Sequence, residues 1–260
     1  MILALDIGNS VINIGGFAGG ELDFVAHIAA DRKKTADEYA VSLLSVLSLH
    51  SRDRSDFTGS IISSVLPELN PVIRSALFFL FGTEPLTVGP GVKTGIGIRC
   101  DMPSSVGGDL ICASVAAHNL YSSPSLIVDI DTATKMTLVN SDGAFAGTSI
   151  LPGVLMGLEA LSSGAALLPT VELSAPDKVI GKNTADCMRS GIIYGNASMI
   201  DGMIDRVFAE NGERQIIVTG SQAHLITPYI THSYTFDEHL VLRGLDLIYN
   251  KNNCIFALRS

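Results

Sequence analysis

The chain is poor in charge, and poorer still in clustered charge. Only 17% of its 260 residues are Asp, Glu, Lys or Arg, with 17 basic residues against 26 acidic and a formal net charge of −9. No basic run exceeds Arg32-Lys33-Lys34. A nucleic-acid groove needs a positive stripe to displace counterions from phosphates, so nucleic-acid binding is not expected. Cysteine is scarce too: Cys100, Cys112, Cys187 and Cys254 are not spaced as a metal finger or a thioredoxin-type pair. With no basic stretch ahead of the apolar Ile2–Leu5, a reduced, cytoplasmic setting is expected rather than a disulfide framework. An unbroken apolar run of membrane-spanning length is also lacking. The richest candidate, Gly147 to Pro169, is interrupted by Pro152, Gly153, Gly157, Glu159 and Gly164, whereas a span needs ~20 predominantly apolar residues. A loop followed by a buried helix is expected there, and no membrane partner.

What the chain has is apolar content. Hydrophobic residues make up 47% and the mean hydropathy is +0.38. That excludes disorder, supports a large core, and is compatible with an apolar oligomer interface. The length suits two domains of roughly 100–150 residues each.

The apolar pattern runs twice. Ile2–Leu5 is a short buried-strand pattern ending in Asp6-Ile7-Gly8-Asn9-Ser10, after which Val11, Ile12, Ile14 and Phe17 continue a hairpin. Thr35 followed by Glu38 marks a helix start, with Tyr39, Leu43, Leu44 and Leu47 as its apolar face. A strand at Ser60–Val65, a helix at Asn70–Phe81 with Pro71 in its first turn, a short strand at Leu86–Val88 and a helix over 107–121 follow. The pattern then restarts. Leu126–Val128 ends in Asp129-Ile130-Asp131-Thr132-Ala133-Thr134, and Met136–Val139 is the next strand. Helices around Leu155–Leu161 and over Thr184–Asn211, a strand at Gln215–Val218 and a helix at Val241–Tyr249 complete the chain. Interleaved strands and helices argue for α/β layers. The expected boundary lies at Ser122-Ser123-Pro124, giving domains 1–122 and 123–260.

Each half thus delivers an aspartate from a buried strand into a polar turn. Gly8 allows close backbone approach to a phosphate, and Asn9 and Ser10 add donors. Asp6-Ile7-Gly8-Asn9-Ser10 alone reads equally well as a plain hairpin turn, because short glycine motifs are weakly specific. Asp129, with hydroxyls at Thr132 and Thr134, repeats the arrangement, and two such hairpins make a phosphate clamp with carboxylates for a hard cation. Thr219-Gly220-Ser221 reads as an ordinary strand-to-helix turn or as an adenosine turn. Asp109, in Gly107-Gly108-Asp109, reads as a helix cap or as a base accepting a proton from an acceptor hydroxyl.

Together these segments resemble the type III pantothenate kinase family. Asp6-Ile7-Gly8-Asn9-Ser10, Ser63-Ser64-Val65-Leu66-Pro67, Gly107-Gly108-Asp109, Asp129 with Thr132-Ala133-Thr134, and Pro152-Gly153 carry the likeness. So do the block from Val179-Ile180-Gly181-Lys182-Asn183-Thr184 through Ser190-Gly191-Ile192-Ile193-Tyr194-Gly195, Val218-Thr219-Gly220, and Leu242-Arg243-Gly244-Leu245. The resemblance implies an actin-like (ribonuclease H-like) α/β fold of two similar domains with a cleft between them. It implies transfer of the ATP γ-phosphate to pantothenate, the first step of coenzyme A synthesis, with Mg²⁺ and a monovalent cation (K⁺ or NH₄⁺), in a homodimer. On it, Asp109 is the general base. Asp6, Gly8, Asn9, Ser10, Thr132, Thr134 and Gly220 serve ATP, with Asp6 reaching Mg²⁺ through water. Asp129 holds the monovalent cation, and Cys100, Gly107, Gly108, Leu110 and Thr184 form the acceptor site.

The sequence departs from the family inside that site. Leu110 replaces an Arg that would serve the pantothenate carboxylate, Cys100 a Tyr, Asp131 a Gly, Lys135 a Thr, and Thr148 and Ser221 each a second Gly. Asp131 and Lys135 can pair and offset one another, or the Lys135 ammonium can stand in for the monovalent cation. The departures keep two alternatives open: phosphorylation of another small hydroxyl compound, or an inactive paralogue that binds nucleotide or protein.

Overall fold

Two buried strands, each with an aspartate as its next-to-last residue, organise the two halves of the protein. The computed structural model describes residues 1–165 and 168–256, the side chains of 254–256 excepted. The Cys254 side chain and part of the Gly147–Pro169 stretch therefore lie outside the described residues. The chain forms two units, one of residues 1–121 with the segment from Leu240 onward, the other of residues 122–239.

In the first unit, strands β1 (Ile2–Ile7), β2 (Val11–Ala18), β3 (Glu21–Ala29), β4 (Gly59–Ser64) and β5 (Leu86–Thr87) form a sheet of order β3-β2-β1-β4-β5. β1 runs antiparallel to β2 and parallel to β4. Side chains alternate across a strand. Leu3, Leu5 and Ile7 therefore enter one core with Tyr39, Leu43 and Leu47 of helix α1 (Ala36–Leu49) and Ile73 and Leu77 of α2 (Asn70–Phe81). Ile2 and Ala4 point into another, with Ile111 and Val115 of α3 (Gly108–Leu120) and Leu242, Leu245 and Ile248 of α7 (Leu240–Phe256). A strand covered on both faces reads as a continuous apolar run, as Ile2–Leu5 does. The α1 start carries the expected capping box: Glu38 donates its backbone N–H to Thr35 Oγ1 (3.3 Å) and accepts the Thr35 backbone N–H (2.7 Å).

The second unit repeats the plan. Strands β6 (Ser125–Ile130), β7 (Ala133–Val139), β8 (Phe145–Pro152), β9 (Gln215–Thr219) and β10 (Thr235–Phe236) have the order β10-β9-β6-β7-β8. This is again a three-strand meander with two parallel strands on the far side of its first strand. Helix α5 (Thr184–Asn211) covers it through Ile192, Ile193, Ala197, Ile200 and Ile204, and α6 spans Ala223–Ile226. The shared plan gives a shared register. Asp6 lies between Asn13 on β2 and Ser63 on β4, and Asp129 between Lys135 on β7 and Thr219 on β9.

Three expectations change. The stretch from Gly147 is strand β8 followed by α4 (Val154–Gly164), not a loop and a buried helix: Val154 is buried, while Leu155, Met156 and Leu161 are exposed. Leu44 is likewise exposed, because α1 buries only a narrower stripe against the sheet. The final helix, counted with the second half by sequence position, packs into the first unit because its apolar stripe completes the core around Ile2, Ala4 and Phe17.

Candidate active site

In the first unit the site is built at the carboxyl end of β1. Asp6 Oδ2 takes a long contact of 3.5 Å from Asn13 Nδ2, and Asn13 Oδ1 lies 3.0 Å from His27 Nδ1. The Gly8 N–H donates to the Val11 carbonyl (2.9 Å) and closes the turn, with Asn9 and Ser10 exposed at its tip.

Asp109 enters the same region from the start of α3. The N-cap of that helix is Gly107, so Asp109 stands in the first turn and the cap reading falls away. A carboxylate there is favoured by the unsatisfied N–H groups and positive dipole end of the helix. A methyl on Gly107 would lie 2.5 Å from Asp109 Oδ1, so the carboxylate folds back over the glycine. One turn further on, Cys112 is fully buried. Burial pushes its thiol well above the ordinary cysteine range, and the carboxylates of Asp6 and Asp109 push it the same way. Both acidic groups therefore act on the same thiol, and the register partner of Asp6 on β4 is Ser63. Ser63, fully buried at the end of β4, faces that thiol, and its Oγ lies 3.0 Å from where a Gly108 Cβ would be. Sequence reasoning gave Ser63 and Cys112 no role. Their signal was periodicity: Ser63 ends a buried strand parallel to β1, and Cys112 is one helical turn from Asp109. Leu110 is half-buried and offers no charged donor, and Cys100 is a half-buried free thiol in the loop before α3.

In the second unit, the β6–β7 turn meets the turn after β9. Gly220 has φ +104°, and a Cβ there would fall 2.4 Å from the Ile130 carbonyl oxygen, so only glycine lets the β9 turn close on the end of β6. Gln222 donates its backbone N–H to that carbonyl (2.9 Å), and Ser221 Oγ donates to Asp131 Oδ1 (2.5 Å). Thr132 is exposed in the turn, while Thr134 is fully buried on β7. Thr184 is exposed at the first position of α5, behind its N-cap Asn183.

The expected Asp131–Lys135 pair is corrected. Lys135 Nζ lies 2.8 Å from Asp129 Oδ2. Lys135 and Asp129 are register partners on β7 and β6, and directly opposed residues of an antiparallel pair share a face. Asp131 lies beyond the paired segment and takes the Ser221 hydroxyl instead.

No group of three or more His, Cys, Asp and Glu suited to a metal ion occurs among the described residues. Mg²⁺ needs less: it keeps several waters and is bound through one or two carboxylates plus substrate phosphates. Asp6, partly exposed beside a polar turn, fits that requirement. A groove of about 760 Å³ in the first unit, lined by Ala36, Pro67, Pro71, Phe78 and Phe79 among others, contains none of these residues.

A family model described as type III pantothenate kinase matches residues 2–206. The type III pantothenate kinase of Moorella thermoacetica is 41% identical over 253 residues, covering 97% of this chain and all of that protein. Among solved structures, a Baf family protein from Campylobacter jejuni is 17% identical, with a TM-score of 0.61 over 97% of this chain and 99% of its own. The ROK hexokinase of Thermus thermophilus is 14% identical, with a TM-score of 0.52 over 97% and 99%. At those identities the likeness shows the fold, which is the actin-like α/β fold.

Proposed function

The chain belongs to the type III pantothenate kinase family, and from that premise we propose that it transfers the γ-phosphoryl group of ATP to the primary hydroxyl of pantothenate, the first step of coenzyme A synthesis. Asp109 accepts the hydroxyl proton as the oxygen attacks phosphorus, and ADP leaves. The observation that carries this reading is the family match over residues 2–206, with a relative 41% identical over 97% of the chain. The register of Asp6 with Ser63, whose Oγ lies 3.0 Å from where a Gly108 Cβ would be, supports a neighbourhood shared with Asp109, as phosphoryl transfer requires.

Asp6, Gly8, Asn9 and Ser10 line the phosphates in this proposal, with Thr132 and Gly220 serving the rest of ATP, while Thr134, fully buried on β7, supports the turn from within the unit instead of meeting ATP. Gly107, Gly108, Leu110, Cys100 and Thr184 serve the acceptor. Asp6 would hold Mg²⁺ through water, and the ion, when bound with ATP, would supply neutralisation of phosphate charge. The proposal includes a homodimer, for which Ile150, Leu155, Met156 and Leu161 supply exposed apolar surface. It also includes a cytoplasmic setting; among the described residues no helix is long and apolar enough to cross a membrane.

The test is an ADP-release assay with ATP, Mg²⁺ and pantothenate, with Asp109→Asn as control. Pantothenate-dependent ADP release that falls about 10²–10⁴-fold in the variant is expected, the usual size of a lost general base. ADP release indifferent to Asp109 would remove the base assignment. Leu110 favours a second acceptor class, small alcohols without a carboxylate, and a substrate panel that turns over such alcohols but not pantothenate would move the reading there.

A further inference from the structure

Of the ions that the family resemblance implies, the monovalent cation at Asp129 is the one that the residues present do not fit. Asp129 sits at the end of β6 with Lys135 directly across on β7. The ammonium and the carboxylate are 2.8 Å apart, with only 18% of the Lys135 side chain and 13% of the Asp129 side chain exposed. A free cation bound there would have to displace the ammonium and leave a largely buried charge without this carboxylate, which is strongly unfavourable. The other half of the protein shows that the pairing is not imposed by the fold. The corresponding position opposite Asp6 is Asn13, a neutral amide. The positive charge belongs to the second hairpin alone.

We infer that the Lys135 ammonium is a built-in counter-cation for Asp129, and that this protein works without a free monovalent cation. The inference rests on the kinase reading above. A cation drawn from solution holds its site only by mass action. An ammonium fixed on the facing strand is present in every molecule at an effective concentration set by its tether. Both put one positive charge on the same carboxylate, so the charge beside the Asp131-Thr132 turn is the same in either case. Lysine suits the position because its ammonium is a compact point charge, closer to a simple ion than a planar guanidinium is.

The experiment uses the full chain in KCl, NH₄Cl, NaCl and choline chloride at constant ionic strength, reading both melting temperature and ADP release. The wild type should melt alike in all four salts and keep its rate within about twofold, a difference of less than ~0.5 kcal/mol. Lys135→Ala and Lys135→Met strip Asp129 of its ammonium. In K⁺ or NH₄⁺ they should gain at least ~2 °C over choline, as ligand-linked stabilisation predicts, and recover rate. Lys135→Arg keeps the charge and should stay indifferent to salt. A wild-type rate that rises about tenfold with K⁺, or a K⁺-specific rise in wild-type melting temperature, overturns the inference. So do Ala and Met variants that both ignore the cation. Should both variants fail to fold, the wild-type arms decide alone. Failure of the kinase reading has a different signature: no ADP release in any salt, with the melting pattern unchanged.

Discussion

Asp109 Oδ1 lies where a side chain on Gly107 would have to go, 2.5 Å from the position of a Cβ. The acidic group and the glycine two residues before it are one device: the helix begins with a residue that has no side chain so that the carboxylate can fold back over it. Gly107→Ala should displace the carboxylate without unfolding the helix. Turnover is expected to drop about tenfold or more, because a 1 Å misplacement of a reacting group can cost as much as 10²-fold. Melting temperature should move by only a few degrees, as for a change of ~1 kcal/mol. Kinetics and calorimetry on the same preparation check the split.

Leu110→Arg places a guanidinium beside Asp109. If pantothenate is the acceptor, its carboxylate gains a charge-assisted hydrogen bond worth about 1.5–3 kcal/mol. The KM for pantothenate should fall tenfold or more with little change in kcat. An unchanged KM would show that the surrounding pocket receives an acceptor without a carboxylate.

His232 ties the loop after α6 to α5: Nδ1 lies 2.9 Å from Asp201 Oδ1 and Nε2 lies 3.1 Å from Asp205 Oδ1. The ring meets Phe208 edge-on. A neutral imidazole has one N–H, so two carboxylates favour the doubly protonated ring. The Asp201 carboxylate raises the His232 pKa above its ordinary value, against a smaller lowering by burial. The stability this contributes is complete below about pH 6.5, the ordinary imidazole value, and is lost as pH rises through the raised value. On the acid side, burial opposes ionisation of Asp201, but His232 and Thr231 outweigh it and lower its pKa, so that contribution fades as pH falls through the lowered value. Urea midpoints of wild type and His232→Gln should therefore differ most between about pH 4.5 and 6.5 and converge toward pH 9. A constant difference across that range would reject the linkage.

Gly220→Ala should be costly. Its φ of +104° strains any other residue, and the new methyl would meet the Ile130 backbone at 2.4 Å. A loss of about 1–3 kcal/mol from the backbone conformation alone is expected. It should appear as a lower urea midpoint with an unchanged denaturant slope.

Much of this architecture is legible in the sequence. Thr35 with Glu38, and Pro71 inside a helix start, are local signals whose chemistry does not depend on the rest of the chain, and α1 and α2 begin where those signals place them. β8 escaped because it lies at a sheet edge and lacks a clean apolar alternation, carrying Gly147 and Thr148. β3, the other edge strand, does alternate, with Leu22, Phe24, Ala26 and Ile28 opposite Asp23 and His27, but it follows Gly19-Gly20, where the hairpin reading stops. The exposure of α4 escaped for the opposite reason, since its sequence is apolar enough for a core but it buries little more than Val154. In the site, the aspartates were visible as strand-end residues, but their partners were not. Whether Lys135 meets Asp129 or Asp131 depends on where the β6–β7 pairing stops, a matter of hairpin register that the sequence leaves open.

The last helix carries a consequence for anyone who handles this protein. A Cβ on Gly244 would fall 1.9 Å from the Cys112 carbonyl oxygen, so α7 lies directly on the backbone of α3 one turn beyond Asp109. Helix α7 thus acts as a splint for the acidic helix. Cutting the chain near Leu240 would loosen a residue more than a hundred positions upstream, and a preparation could look intact on a gel while being silent in an assay.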